Sequence, residues 1–107
     1  MSPTTSKTPT YTVASGVTMH GVFYRRIGHI VILTIQITLP AATNGDILVT
    51  FNNIPTPLSN EHYFTVQNGD NSRALTLFKG KTVRACGNMT GGVWLSGIAV
   101  YVTNDFI

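Results

Sequence analysis

WLSGIAVYV, residues 94–102, places Trp94, Ile98, Val100 and Val102 with Ser96 on one side of an extended chain. Leu95, Ala99 and Tyr101, in line with the preceding Val93, occupy the other. Neither row carries a charge, so the strand needs cover on both faces. In a small all-β domain a second sheet supplies one cover, and the other is expected from a neighbouring subunit. A second stretch, IVILTIQITL over 30–39, has an unbroken apolar row of Val31, Leu33, Ile35, Ile37 and Leu39. Its opposite row passes from Ile30 and Ile32 into Thr34, Gln36 and Thr38, so that face changes character along its length.

Outward from these two strands, short β-rich runs alternate with Gly, Asn and Pro punctuation. Eight strands are expected, near 11–14, 17–27, 29–39, 46–52, 62–67, 73–78, 82–86 and 93–102. The fold class is all-β, a Greek-key or jelly-roll-like barrel or sandwich of antiparallel strands. Asn44-Gly45, Asn68-Gly69, Lys79-Gly80 and Gly91-Gly92 are hairpin candidates because they tolerate positive φ. Pro55 and Pro57 cannot donate to a ladder, which makes 53–61 a longer surface connection. Residues 1–12 read as a linker or N-terminal arm, and 13–107 as a single domain.

The chain has 107 residues, with seven basic and four acidic side chains. Arg25-Arg26 is the only adjacent basic pair and no basic stripe is interleaved with stacking aromatics, so nucleic acid is not an expected partner. No stretch is long enough for a membrane-spanning helix and the N-terminus lacks the apolar core of a signal peptide, so membrane insertion is not expected. Cys86, the sole cysteine, reads as a small buried side chain without the cationic or basic neighbour a thiolate nucleophile needs. His20, His29 and His62 lack the close pairing of a zinc site, and neither metal nor cofactor is expected. Glu61 and Asp70 form the one carboxylate pair open to glycoside hydrolysis, but both sit in turn-rich segments that favour ordinary solvated acids. With no nucleophile-elbow motif either, the chain is not read as an enzyme.

Around the 62–67 strand, Asn60-Glu61-His62-Tyr63 and Asn68-Gly69-Asp70-Asn71-Ser72-Arg73 concentrate amides, acids, a cation and aromatic rings. A pyranose offers hydroxyls that donate and accept together, matching Asn and Asp, and a C–H face that lies on Tyr or Trp. Arg73 suits a bidentate contact with a phosphate or carboxylate on a decorated polysaccharide. Trp94 reads either as a core anchor or as a sugar platform, and 68–72 either as a polar turn or as a binding loop. The candidate saccharide-binding residues are Asn60, His62, Tyr63, Asp70, Arg73 and Trp94. Asn88-Met89-Thr90 matches a glycosylation acceptor and is given no role.

The tract GVFYRRIGHIVILTIQITLP, the NIPTPL loop and the closing GGVWLSGIAVYVTND together resemble the C-terminal head domains of phage tail receptor-binding proteins. The shared marks run from about Val13 to Asp105: the Arg26-Ile27-Gly28 turn, a long hydrophobic strand, a Pro-bearing connection and the terminal W-L-S-G-I-x-V strand. The resemblance is greatest to the heads of lactococcal siphophages. It implies a homotrimer of compact β-barrels at the phage tail tip or baseplate, held by other tail proteins and binding host cell-wall saccharide within or between subunits. It implies no catalytic residues. The alternative expectation is a structural virion protein, of the tail or a decoration, whose interfaces bind only protein.

Overall fold

The computed structural model describes residues 6–105. Among the described residues nine strands follow in chain order: β1 (Ser6–Lys7), β2 (Tyr11–Val13), β3 (Thr18–Ile27), β4 (Ile30–Thr38), β5 (Ile47–Phe51), β6 (Glu61–Asn68), β7 (Asn71–Phe78), β8 (Thr82–Ala85) and β9 (Trp94–Val102). They form one sheet in the order β1-β3-β4-β9-β6-β7-β8-β5-β2. Every named pairing is antiparallel. The expected all-β class is what the chain adopts.

β1 and β2 take the two outermost positions of the sheet, yet only Thr8, Pro9 and Thr10 separate them in the chain. Those few residues span at most roughly 15 Å, so the two edges face each other and the sheet curls shut. Thr10 secures the junction: its N–H donates to Asn53 Oδ1 at 2.8 Å and its carbonyl accepts from the Asn52 N–H at 3.0 Å. Pro9 is buried beneath. Of the segment expected to be an arm, residues 1–5 lie outside the described residues, whereas 6–12 belong to the sheet and close it.

The apolar row of β4 builds the core as its alternation requires, with Val31, Leu33, Ile35 and Ile37 essentially inaccessible. Leu48, Val66, Leu75, Leu77, Val83 and Leu95 meet them from the other strands. The barrel's two ends differ. One carries the 39–46 and 86–93 connections, which cross where Gly91 lies against the Leu39–Ala41 backbone; a Cβ there would sit 2.4 Å from Ala41 N. This is the crossover end. The other carries the β3–β4 and β7–β8 turns and the 52–60 connection, and is the hairpin end.

Several turn expectations change in detail. Asn44-Gly45 and Gly91-Gly92 belong to crossovers, because β4 neighbours β9 rather than β5, and β8 neighbours β7 and β5 rather than β9. In the β7–β8 turn the left-handed residue is Lys81, at φ 70°, and Gly80 is not among the positive-φ positions. The 52–60 connection is a surface loop only in part, with Asn52, Asn53, Leu58, Ser59 and Asn60 exposed. Ile54, Pro55 and Pro57 are buried, and Pro57 bridges Thr103 beside β9. The prolines lie where no ladder N–H is required, and they plug the hairpin end.

Candidate functional site

The structure separates the six candidate residues into two groups. Asp70, Arg73 and Trp94 lie at the crossover end, while Asn60, His62 and Tyr63 lie at the hairpin end. Along β6, Asp70 and Trp94 lie roughly 20 Å from His62 at strand rise, and Arg73, the register partner of Val66, lies roughly 10 Å from Tyr63. They do not form one pocket.

At the hairpin end, strand alternation sends neighbouring side chains to opposite faces. His62 turns inward, half-buried, its ring 6.3 Å from that of Tyr101. Tyr63 points out, 61% exposed, and its hydroxyl donates to Glu61 Oε2 at 2.6 Å. That hydrogen bond, reinforced by the Glu61 charge, raises the Tyr63 phenol above its ordinary value. The Asn60 carbonyl accepts from the Lys79 N–H, which continues the β6–β7 pairing one step beyond Glu61 and Phe78. Glu61 and Asp70 are separated by more than roughly 20 Å along β6, well beyond the ~5–10 Å of a glycosidase carboxylate pair.

The crossover end holds a tighter constellation. The register of β3 against β4 shifts between Met19 and Gly21, leaving His20 as the extra residue of a β-bulge. Bulges re-aim side chains. Here the His20 imidazole extends over β4, where its Nε2 is 2.7 Å from Thr38 Oγ1, to stack on the Trp94 indole of β9 at 5.3 Å and 29°. Trp94 is 44% exposed, so it is a surface ring and not a core anchor. Its backbone carbonyl accepts from Asn68 Nδ2 at 2.9 Å, which ties the start of β9 to the end of β6. Gln36 and Ser96 pair just below on the same face. His20 and Asn68 were not among the candidate residues; the isolated Gly21 inside a long strand is the sequence signal for the bulge that places His20.

Arg73 lies nearby on β7, half-buried, beside a groove of about 300 Å³ lined by Ser72, Cys86, Asn88, Met89 and Thr90. Its Nε donates to the Thr90 carbonyl at 2.9 Å, Nη2 to Thr90 Oγ1 at 3.0 Å and Nη1 to the Ser72 carbonyl at 2.8 Å. Cys86, expected to be buried, is only half-buried. Asp70 is exposed at the tip of the β6–β7 turn.

The outer face of β3, β4 and β9 is the second notable surface. Register rows place Phe23 beside Thr34 and Ile98, Arg25 beside Ile32 and Val100, and Ile27 beside Ile30 and Val102. Ile98 is 53% exposed and Val100 45%, and Ile27, Ile30 and Val102 are similar. The inward partners Leu95, Ala99 and Tyr101 are buried, so β9 has one covered and one open apolar face. Monomeric proteins rarely leave so continuous an apolar patch in water. Along these strands the face grades from apolar at the hairpin end to Gln36, Ser96, Thr38, His20 and Trp94 at the crossover end.

No protein-family model matches the sequence, and no curated protein matches it. Among solved structures, the fold is similar to that of the receptor-binding protein (gp15) of Listeria phage PSA, with a TM-score of 0.60 and 15% identity. The likeness covers 97% of this chain and 67% of that one. It lends no support to the narrower resemblance to lactococcal heads. What it establishes is architecture: a barrel of the kind found in a phage receptor-binding protein.

Proposed function

We propose that this chain is a non-enzymatic host-recognition module of a phage tail, which associates as a homotrimer and binds host cell-surface saccharide. The observation that carries the reading is the open apolar face of β3, β4 and β9, on a fold shared with a phage receptor-binding protein. Copies packed around a threefold axis would cover the apolar half of that face. The polar half, with Trp94, His20, Thr38, Gln36 and Ser96, would then line the clefts between subunits. An indole offers a flat apolar surface to a sugar ring while the neighbouring amide and hydroxyls exchange hydrogen bonds with its hydroxyl groups.

Three weak sites on one particle bind a polymer far more tightly than one. Attachment to other tail proteins at the tail tip or baseplate would present all three to the cell. The test is binding of purified protein to cell walls and to a glycan array, with Trp94→Ala alongside. Saccharide binding that falls at least about tenfold in the folded variant supports the reading, since aromatic stacking of this kind contributes roughly 1 kcal/mol per site and three sites act together. A folded oligomer that ignores every saccharide yet binds a tail protein would assign it a structural role in the virion.

A further inference from the structure

The open apolar face does not end at β9. Where β6 parts from β9 towards the hairpin end, Leu58 fills the split: its N–H donates to the Val102 carbonyl at 2.8 Å and its side chain is exposed. Counting on from the Val66–Gly97 pair sets Tyr63 level with Val100 and Glu61 level with Val102. The 6.3 Å between the His62 and Tyr101 rings agrees with that register. The apolar surface therefore runs from Phe23 and Ile27 across Ile30, Val100 and Val102 to Leu58 and the exposed Tyr63.

Its two long margins carry opposite charge. On the β3 side stands Arg25, exposed, whose Nε donates to Ser6 Oγ at 2.9 Å. That leaves the four N–H groups of its terminal nitrogens for another acceptor. On the β6 side stands Glu61, also exposed, where the Tyr63 hydroxyl engages Oε2 alone at 2.6 Å. Among the described residues neither group makes an ion pair. At least three strand spacings separate them, roughly 15 Å, so they cannot meet within one copy.

Symmetry decides which margins meet between copies. Rotation about an axis parallel to the strands keeps every residue at its height and brings the β3 margin of one copy against the β6 margin of the next. Opposite charges then face each other. A twofold axis across the strands would instead lay the Arg25 margin on the Arg25 margin of its partner, like against like. Arg25 is level with Val100 and Glu61 with Val102, a difference of two residues or roughly 7 Å, which an extended arginine side chain covers.

We propose that copies of this chain assemble in parallel about an axis along the strands, with the Arg25 guanidinium of each copy paired with the Glu61 carboxylate of the next and Tyr63 packed at the same junction. The proposal rests on the homotrimeric host-recognition reading for the number of copies and goes beyond it in fixing their orientation and contacts. All crossover ends, with Trp94 and His20, then point the same way, so one particle presents its polar clefts to a single surface.

The test is sedimentation velocity of the full chain over a dilution series, for the wild type, Arg25→Glu, Glu61→Arg and the double variant. Each single variant turns three attractive contacts into three repulsive ones and should raise the concentration at half-assembly at least about tenfold. The double variant exchanges the partners and should return to within about threefold of the wild type. The two singles change net charge in opposite directions, so a loss in both is not a net-charge effect, and recovery in the double shows that neither change prevents folding. Raising salt from about 0.05 to about 0.3 M should weaken the wild-type assembly and strengthen that of each single variant. Singles that assemble like the wild type, or a double no better than the singles, would overturn the proposal and leave the homotrimer standing. A wild type that is monomeric at every concentration would overturn both. Assembly restored in the double variant, with no binding of wild-type trimers to cell walls, would support this contact and overturn the host reading.

Discussion

Replacing Gly97 with alanine tests how the barrel is joined. β9 and β6 share only two registered pairs, Val66 with Gly97 and Gln67 with Ser96, and this seam links β1-β3-β4-β9 to β6-β7-β8-β5-β2. A Cβ on Gly97 would lie 2.4 Å from the Thr65 carbonyl oxygen, 2.9 Å from Val66 Cγ1 and 3.0 Å from Val66 Cα. Ordinary contact begins near 3.4 Å, and the obstacle is backbone, so the two strands must part by about 1 Å. Overpacking of this kind costs about 1–3 kcal/mol, and weakening the seam's hydrogen bonds adds about 1 kcal/mol. The expected destabilisation is about 2–4 kcal/mol, a large share of the ~5–15 kcal/mol that holds a domain together. Urea unfolding at fixed protein concentration, followed by the fluorescence of the sole tryptophan, measures it. Gly80→Ala is the control, since a Cβ at that position would have nothing within 4 Å and its φ is ordinary; it should change stability by no more than about 0.5 kcal/mol. If Gly97→Ala matched that control with an unchanged denaturant slope, the close approach of β6 to β9 would be refuted.

Three further substitutions probe single groups. Tyr101→Phe removes a buried hydroxyl that donates to the Pro55 carbonyl at 2.8 Å and should destabilise by about 1–2 kcal/mol in chemical unfolding. Burial raises the Tyr101 phenol above its ordinary value, so its contribution is complete below the unfolded value near 10 and is lost as pH rises further; alkaline unfolding should be steeper in the wild type than in Tyr101→Phe. The Thr56 N–H, 2.7 Å from Asp105 Oδ2, holds the Asp105 carboxyl below its ordinary value. Its stabilisation is therefore present above the unfolded value near 4 and lost as pH falls through the lower folded one, and Asp105→Asn should flatten the acid limb of a pH–stability curve. Glu61→Gln should bring Tyr63 back toward about 10 in an ultraviolet titration, because it removes the charge that opposes phenolate formation.

The strands were legible in the sequence because their burial follows the side-chain alternation that any strand imposes. Val31 to Leu39 reads as one inward row, and the row from Trp94 to Val102 reads as needing a cover the domain does not supply. Topology was less legible. Asn44-Gly45 and Gly91-Gly92 promise local reversal, but whether a turn closes a hairpin or starts a crossover depends on which strands are neighbours, which is a long-range property. A strand near 11–14 was legible, but the closing role of 6–13 was hidden for the same reason: two short edge strands gain meaning only when the edges they join are brought together. The site was mixed. Trp94, Asp70 and Arg73 do share one end of the barrel, while Asn60, His62 and Tyr63 were grouped with them by closeness in sequence to a strand that carries them to the opposite end. His20 could not be placed by alternation, because the bulge at Met19–Gly21 breaks it.

Sedimentation velocity on the wild type and on Ile98→Asp tests the central claim most directly, namely that further copies of the chain cover the outer face of β3, β4 and β9. Ile98 is 53% exposed, so completing its burial would contribute about 1 kcal/mol per copy, and a carboxylate there would have to be desolvated. The wild type is expected to sediment as a trimer, and Ile98→Asp as a folded monomer with an unchanged β-sheet circular dichroism spectrum. A wild type that remains monomeric at every concentration, or an Ile98→Asp variant that still forms trimers, would contradict the account.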